Sequence, residues 1–230
     1  MPVSLKWLGH SAFSLDVDGH AVLIDPFLSG NPLAAASPDE LEPELLLLSH
    51  AHGDHLGDTV AILKRTGATF VANHEIGNWM MGQSLPQEQV VQVNPGGTWD
   101  AGFMRVKWTI AHHSSSFPDG TYGGQPNGFI MKTPQMNLYF AGDTSLFLDM
   151  QLIGEEGIDV AFLPIGDHFT MGVEDSIKAI NFVNPKFVLP MHYNTFPPIV
   201  QDVVEWAKRV NNETNATPIV LDPGGDYTFA

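Results

Sequence analysis

The stretch Ser49-His50-Ala51-His52-Gly53-Asp54-His55-Leu56-Gly57 places three histidines and an aspartate within six residues. Imidazoles and carboxylates need partners once they leave water, so such a cluster is hard to account for as packing. A metal ion supplies the missing partner. The ordinary alternative is a solvated polar loop, but the H-x-H-x-D-H spacing is that of a metal-ligand motif and argues against it. Immediately upstream, the apolar run at residues 45–48 reads as a buried strand, so the cluster sits just past a strand end.

Working outward, residues 3–7, 12–17 and 21–24 read as three short strands, the last two joined by the turn Asp18-Gly19. The chain therefore opens with a β-meander. After a stretch punctuated by Pro and Gly and then the histidine cluster, a short helix is expected at 59–65, a strand at 69–72 and a helix at 75–81. A second half begins near Pro95-Gly96-Gly97. Its strands are expected at 103–110, 128–132, 137–141, 159–163, 186–189 and 218–221, with helices at 173–182 and 199–210. Each half passes from strands to strand and helix alternation, which suits two packed sheets flanked by helices. The 230 residues, 43% of them hydrophobic, are expected to form one domain of two similar halves with the boundary near residue 95.

Cysteine is absent, so any metal must be held by His and carboxylate rather than thiolate. Ten Lys and Arg against 26 Asp and Glu give a formal charge of −16, a field that repels polyanions. No cluster of basic residues is visible to override it. Nucleic acid is therefore not expected as a partner, whereas a small neutral or singly charged molecule is. Bound cations would offset part of the charge near the site. From Met1 to Trp7 there is no basic region followed by an apolar run, and no segment approaches the roughly 20 apolar residues of a membrane span. The expectation is a soluble, cytoplasmic protein with no membrane partner; a homo-oligomer is left open.

The histidine loop resembles that of the metallo-β-lactamase superfamily. Trp7-Leu8-Gly9-His10-Ser11, Leu23-Ile24-Asp25-Pro26-Phe27, Ala141-Gly142-Asp143-Thr144, the run from Pro164 to Gly172, and Met191-His192-Tyr193-Asn194-Thr195-Phe196-Pro197 narrow the resemblance. They are similar to a branch known only as metal-dependent hydrolases and related to L-ascorbate-6-phosphate lactonase. The resemblance implies an α/β fold, the αβ/βα four-layer sandwich. It implies two divalent ions: His50, His52 and one histidine of the pair His112-His113 on the first, Asp54, His55 and His192 on the second, and Asp143 bridging. Two cations about 3.5–4 Å apart clamp a water, lower its pKa and stabilise charge developing on the substrate. Zinc suits a His-rich site without cysteine, and manganese, iron or nickel suit the same nitrogen and oxygen donors.

For the pair His112-His113, two lines of reasoning diverge. Along the preceding strand Val106, Trp108 and Ile110 share one face, and continued alternation would send His112 inward. In the resembling hydrolases the ligand histidine is the one followed directly by serines, which here is His113 before Ser114-Ser115. His113 is chosen as the ligand, and His112 is read as a pocket-wall or packing residue.

Asp25, His10 and Asp167 are candidates for holding ligands in place. A carboxylate at a strand end can orient a ligand histidine through its free ring N–H, although Asp25 before Pro26 equally suits a turn. His10 is read as a satisfied structural histidine. Asp167 and His168 lie in a loop where either could meet substrate, general acid work included, or simply brace the loop. Asp54 is expected both to hold an ion and to orient the attacking water. His20 is expected in an exposed hairpin and His74 at a helix start, with Trp79, Met80 and Met81 covering the core. The leading function is dinuclear metal-dependent hydrolysis of an ester, lactone, amide or phosphoester bond in a small molecule. The rivals are a phosphodiesterase or nuclease with the same metals and a metal-binding scaffold without turnover.

Overall fold

The computed structural model describes residues 3–229, so the leader reading at Met1 and Pro2 lies outside the described residues. The first half runs β1 (Val3–Gly9), β2 (Ala12–Val17), β3 (His20–Ile24), β4 (Leu45–Leu47), α1 (Gly53–Leu56), α2 (Thr59–Thr66), β5 (Thr69–Ala72), α3 (His74–Gly82) and β6 (Val90–Gln92). The second runs β7 (Thr98–Asp100), β8 (Arg105–Ile110), β9 (Asn127–Lys132), β10 (Asn137–Phe140), α4 (Met150–Gly154), β11 (Val160–Pro164), α5 (Val173–Val183), β12 (Phe187–Met191), α6 (Val203–Glu213), β13 (Thr217–Pro218) and β14 (Asp226–Thr228).

Among the described residues the strands form two seven-stranded sheets, ordered β14-β1-β2-β3-β4-β5-β6 and β13-β12-β11-β10-β9-β8-β7. Each sheet begins as an antiparallel meander and continues as parallel strands: β3 to β6 in the first and β10 to β13 in the second. The division near residue 95 is crossed once, because β14 returns from the end of the second half to pair antiparallel with β1.

Alternation along the strands sorts the apolar residues into layers. Leu45, Leu47 and Val71 join Phe13, Trp108, Phe129, Phe140 and Phe162 between the sheets, whereas Leu46, Leu48, Phe70 and Ala72 meet Ile62, Leu63, Ile76 and Met80 under α2 and α3. Strands covered on both faces are apolar throughout, as β4 and β11 are. Phe13 ties the sheets together, its ring edge-on to Phe162 at 4.9 Å. Met80 is fully buried, and half-buried Trp79 stacks on Phe117 at 4.1 Å.

Capping sets several boundaries. α3 starts at His74 because the Asn73 side chain accepts from the Ile76 N–H, and α2 stops at Gly67, which is left-handed with φ 70°. The helix expected from residue 199 begins only at Val203, where the Asp202 carboxylate accepts from the Glu205 N–H; Pro197–Ile199 forms a separate 3-10 turn first. The strand expected at 218–221 is reduced to Thr217–Pro218, and β6, β7 and β14 were not expected. His20 is half-buried rather than exposed, stacked on Phe103 at 4.2 Å. No helix among the described residues is long and apolar enough to cross a membrane.

Candidate metal centre

Five strand ends converge on one edge between the sheets. From the first sheet come His10 after β1, Asp25 after β3 and the histidine loop after β4; from the second come Asp143 after β10 and His192 after β12. A sixth contribution, His113, follows β8.

Asp25 is fully buried, and its carboxylate accepts three hydrogen bonds: from the Ser49 N–H (2.8 Å), the Ser49 hydroxyl (2.5 Å) and His55 Nδ1 (2.7 Å). The Ser49 hydroxyl donates to Asp25, so it accepts from His50 Nδ1 at 2.9 Å. Both histidines thus spend Nδ1–H on this network and leave Nε2 facing the other donors, His50 Nε2 lying 3.1 Å from His52 Nδ1, the arrangement metal ligands use. Asp25 is therefore an orienting carboxylate rather than a turn residue alone. The loop packs closely: Gly57, at φ 40°, has the Pro26 carbonyl oxygen 2.4 Å from where a Cβ would sit.

His50, His52 and His113 bring donor atoms within 4.8 Å of one another, as do His10, Asp54, His55 and His192. Asp143 lies between these groups. Its Oδ2 is 3.0 Å from His192 Nε2 and 3.6 Å from His113 Nε2, and its Oδ1 is 3.3 Å from His55 Nε2. Gly142 precedes it at φ 63°, with the Asn127 carbonyl oxygen 2.4 Å from a hypothetical Cβ, so the approach of this strand end requires glycine.

His112 is exposed and stacks on Phe147 at 4.7 Å, outside the cluster. The alternation that would have sent it inward fails one step earlier: Thr109 is buried at 8% exposure while Ile110 is 37% exposed. The strand ends at Ile110, and in the loop beyond it His113 faces the cleft.

His10 is fully buried, with Nε2 3.2 Å from Asp54 Oδ2 and Nδ1 2.8 Å from Thr195 Oγ1. Of its two readings, a support for a ligand and a satisfied structural histidine, this contact favours the first, although nothing in the local sequence announces a neighbour 44 residues away. Asp167 and His168 are exposed, at φ 60° and 56°, and the Asp167 carboxylate accepts from the His168 N–H. Neither lines the cleft of about 260 Å³ over the cluster; from that loop Phe169 does, together with Ser114 from the His113 loop. Phe169 was missed because a lone aromatic in a loop carries no chemical signature.

Burial alone would raise the carboxylates and lower the imidazoles, yet the cluster resists this for some members. Burial pushes Asp143 up, but His192 and His55 outweigh it and hold it well below the usual carboxylate range. The same contest, with hydrogen bonds from His10 and His192, keeps Asp54 low. His192 is driven down by burial and carried back up to about 9 by Asp143, whereas burial prevails at His10, which falls to about 4, and at His50. Asp54 and Asp143 are thus held as carboxylates, the form in which they can bind a cation.

The residues fit metal ions on a second count. His55 Nε2 and Asp143 Oδ1 are buried, face each other at 3.3 Å and make no hydrogen bond. Buried polar atoms left unpaired are costly, and a cation between them would engage both. The donors are all nitrogen and oxygen, which suits zinc, manganese, iron or nickel.

The family model of the beta-lactamase superfamily domain matches residues 4–192. A UPF0173 metal-dependent hydrolase of Thermus thermophilus is 48% identical over 222 residues, covering 96% of this chain and 97% of the relative. One of Methanopyrus kandleri is 47% identical over 228 residues, covering 97% and 98%. The solved structure of Igni18, a metallo hydrolase from Ignicoccus hospitalis, superposes with a TM-score of 0.91 at 38% identity, covering 100% of this chain and 99% of that one. With the strand ends that carry the histidine and carboxylate cluster inside the matched span and its relatives aligned from end to end, the chain belongs to the beta-lactamase superfamily and, within it, to the UPF0173 metal-dependent hydrolases.

Proposed function

We propose that the chain is a dinuclear hydrolase acting on an ester, lactone, amide or phosphoester bond of a small molecule, with zinc as the first candidate for both ions. The observation that carries this reading is the position of Asp143, whose two oxygens are approached by His113 from one donor group and by His55 and His192 from the other. In this reading His50, His52 and His113 hold one ion, Asp54, His55 and His192 hold the other, and Asp143 serves both. Two bound cations would lower the pKa of a water between them and stabilise negative charge developing on the substrate.

The chain's own residues do the rest. The Asp25-Ser49 network holds His50 and His55 in one tautomer. Asp54, 31% exposed at the cleft, is placed to accept a hydrogen bond from an incoming water. Ser114 offers a hydroxyl and Phe169 an aromatic face to the substrate. His168 packs edge-on to Phe169 at 4.5 Å, so a general-acid role for it or for Asp167 is confined to substrates that extend past that ring. The relatives' shared name as metal-dependent hydrolases supports the reaction class. The small cleft and the formal charge of −16 favour a small molecule over nucleic acid.

Elemental analysis of freshly purified protein, with a turnover screen over lactones, esters, amides and bis-p-nitrophenyl phosphate, tests the reading. Two ions per chain and turnover that chelation abolishes are expected. One ion or fewer at full activity defeats the dinuclear model, and full metal without turnover on any class favours a binding scaffold. Salt-sensitive binding to DNA or RNA would revive the nuclease alternative.

A further inference from the structure

Both ring nitrogens of His10 are engaged, and the partners dictate which one carries the proton. A neutral imidazole has one N–H and one lone pair. Asp54 Oδ2, 3.2 Å from Nε2, can only accept as a carboxylate, so a bare Nε2 there would set two lone pairs against each other. The Thr195 hydroxyl, 2.8 Å from Nδ1, can donate; its other acceptor, the Tyr193 carbonyl, is distant at 3.4 Å. One assignment satisfies every atom: Thr195 O–H donates to Nδ1, and Nε2–H donates to Asp54.

We propose that His10 is a positioning residue, set in its tautomer by Thr195, that donates to Oδ2 of Asp54 and fixes the rotation of that carboxylate, whose Oδ2 also faces His192 Nε2 at 3.7 Å. The consequence for turnover rests on the hydrolytic reading above, whereas the tautomer stands on the protein alone. The ring is well confined. The centroids of Phe27 and Phe196 lie 5.8 and 5.6 Å away and that of His192 lies 4.2 Å away. Its carbonyl accepts from Trp7 Nε1 at 3.0 Å and from the His192 N–H at 3.2 Å. One residue thus steadies Asp54 through its side chain and His192 through its backbone.

The left-handed backbone of His10, φ 56°, gives a rival reason for a polar residue at this position. Two substitutions separate the explanations. Asparagine tolerates this conformation better than glutamine, but its amide ends at the level of Nδ1 and cannot reach Asp54. Glutamine carries an N–H at the level of Nε2. A purely conformational role ranks His10→Asn above His10→Gln; positioning of Asp54 ranks them the other way.

The test begins with metal-free protein labelled with 15N in histidine. Long-range proton–nitrogen correlation spectra, with the His10 signals assigned by their loss in His10→Gln, should show Nε2 protonated and Nδ1 bare. The opposite tautomer overturns the proposal without any variant having to fold. Zinc affinity is then measured by competition with a chromophoric chelator. For the weaker-bound ion, His10→Ala and His10→Asn should lose about 10–100-fold, the usual cost of removing a group that supports a ligand. His10→Gln should recover most of that loss. Thr195→Val should weaken binding and Thr195→Ser should not. Asparagine matching or exceeding glutamine overturns the proposal. These outcomes are read without substrate, so a failure of the hydrolytic reading would leave them intact, and their failure would leave turnover to be judged separately.

Discussion

The two halves of the molecule furnish the site by opposite means. The first sheet delivers His50, His52, Asp54 and His55 from one loop after β4, all within six residues. The second delivers His113, Asp143 and His192 singly, from the ends of β8, β10 and β12. A compact loop takes its geometry from what lies beneath it, here the Asp25-Ser49 network. A scattered set takes its geometry from strand register, such as the pairing of Phe140 with Phe129 and Phe162. Local damage should therefore disturb several donors at once in the first half and one donor at a time in the second.

The largest effect should come from what both halves share. Phe13→Ala removes the ring wedged between the sheets and should cost about 3–5 kcal/mol in chemical denaturation. The protein that remains folded should still bind metal, and a selective loss of one half would break the comparison. Next is the carboxylate between the donor groups: Asp143→Asn should reduce turnover by more than the roughly 10–100-fold typical of an outer hydrogen-bond partner and lower the content of both ions. Loss of only one ion would mean that Asp143 belongs to one group.

Beneath the loop, Asp25→Asn keeps the shape and tolerates the left-handed backbone, but it turns an N–H toward a donor. It should destabilise metal-free protein by about 1–3 kcal/mol in urea titration and weaken metal binding about tenfold or more. An unaltered affinity would uncouple the loop from its support. The smallest effect belongs to His112→Ala, which forfeits only the stack on Phe147, about 0.5–1.5 kcal/mol at most, with turnover within about twofold of the parent. Metal loss in that variant, with none in His113→Ala, would reverse the assignment of the pair.

The same contrast governs what could be read in the chain. The strands from β1 to β5 and from β8 to β12 were expected to within a few residues because each has an apolar run or a full cycle of alternation. β6, β7 and β14 are three residues each, too short for either signal, and β14 finds its place beside β1 only through a pairing that spans the chain. At the site, the histidine loop declared itself through spacing. Asp143, His192 and the choice of His113 came through the resemblance, since none has a local pattern of its own. Phe169 escaped, and His10, though a candidate support for a ligand, was read as structural, because their significance is their company: one lines the cleft, the other touches Asp54.

Several residues of this edge are non-glycines held in the left-handed region: His10, Asp25 and His192 at φ 56°, 44° and 55°, with Asp167, His168 and Asn194 nearby in the loops. Each such residue carries a conformational cost of order 1–3 kcal/mol, which glycine would largely relieve. Glycine would be a gain at the exposed Asp167 and His168, but at His10, Asp25 and His192 the side chain lost is buried and paired, so stranding its partners would cost more than the backbone angle returns. The strained angles at the centre are thus held by the partners of their side chains, and fold and site call for the same residues there. Stabilising substitutions are better sought under α2 and α3, where no donor is at stake.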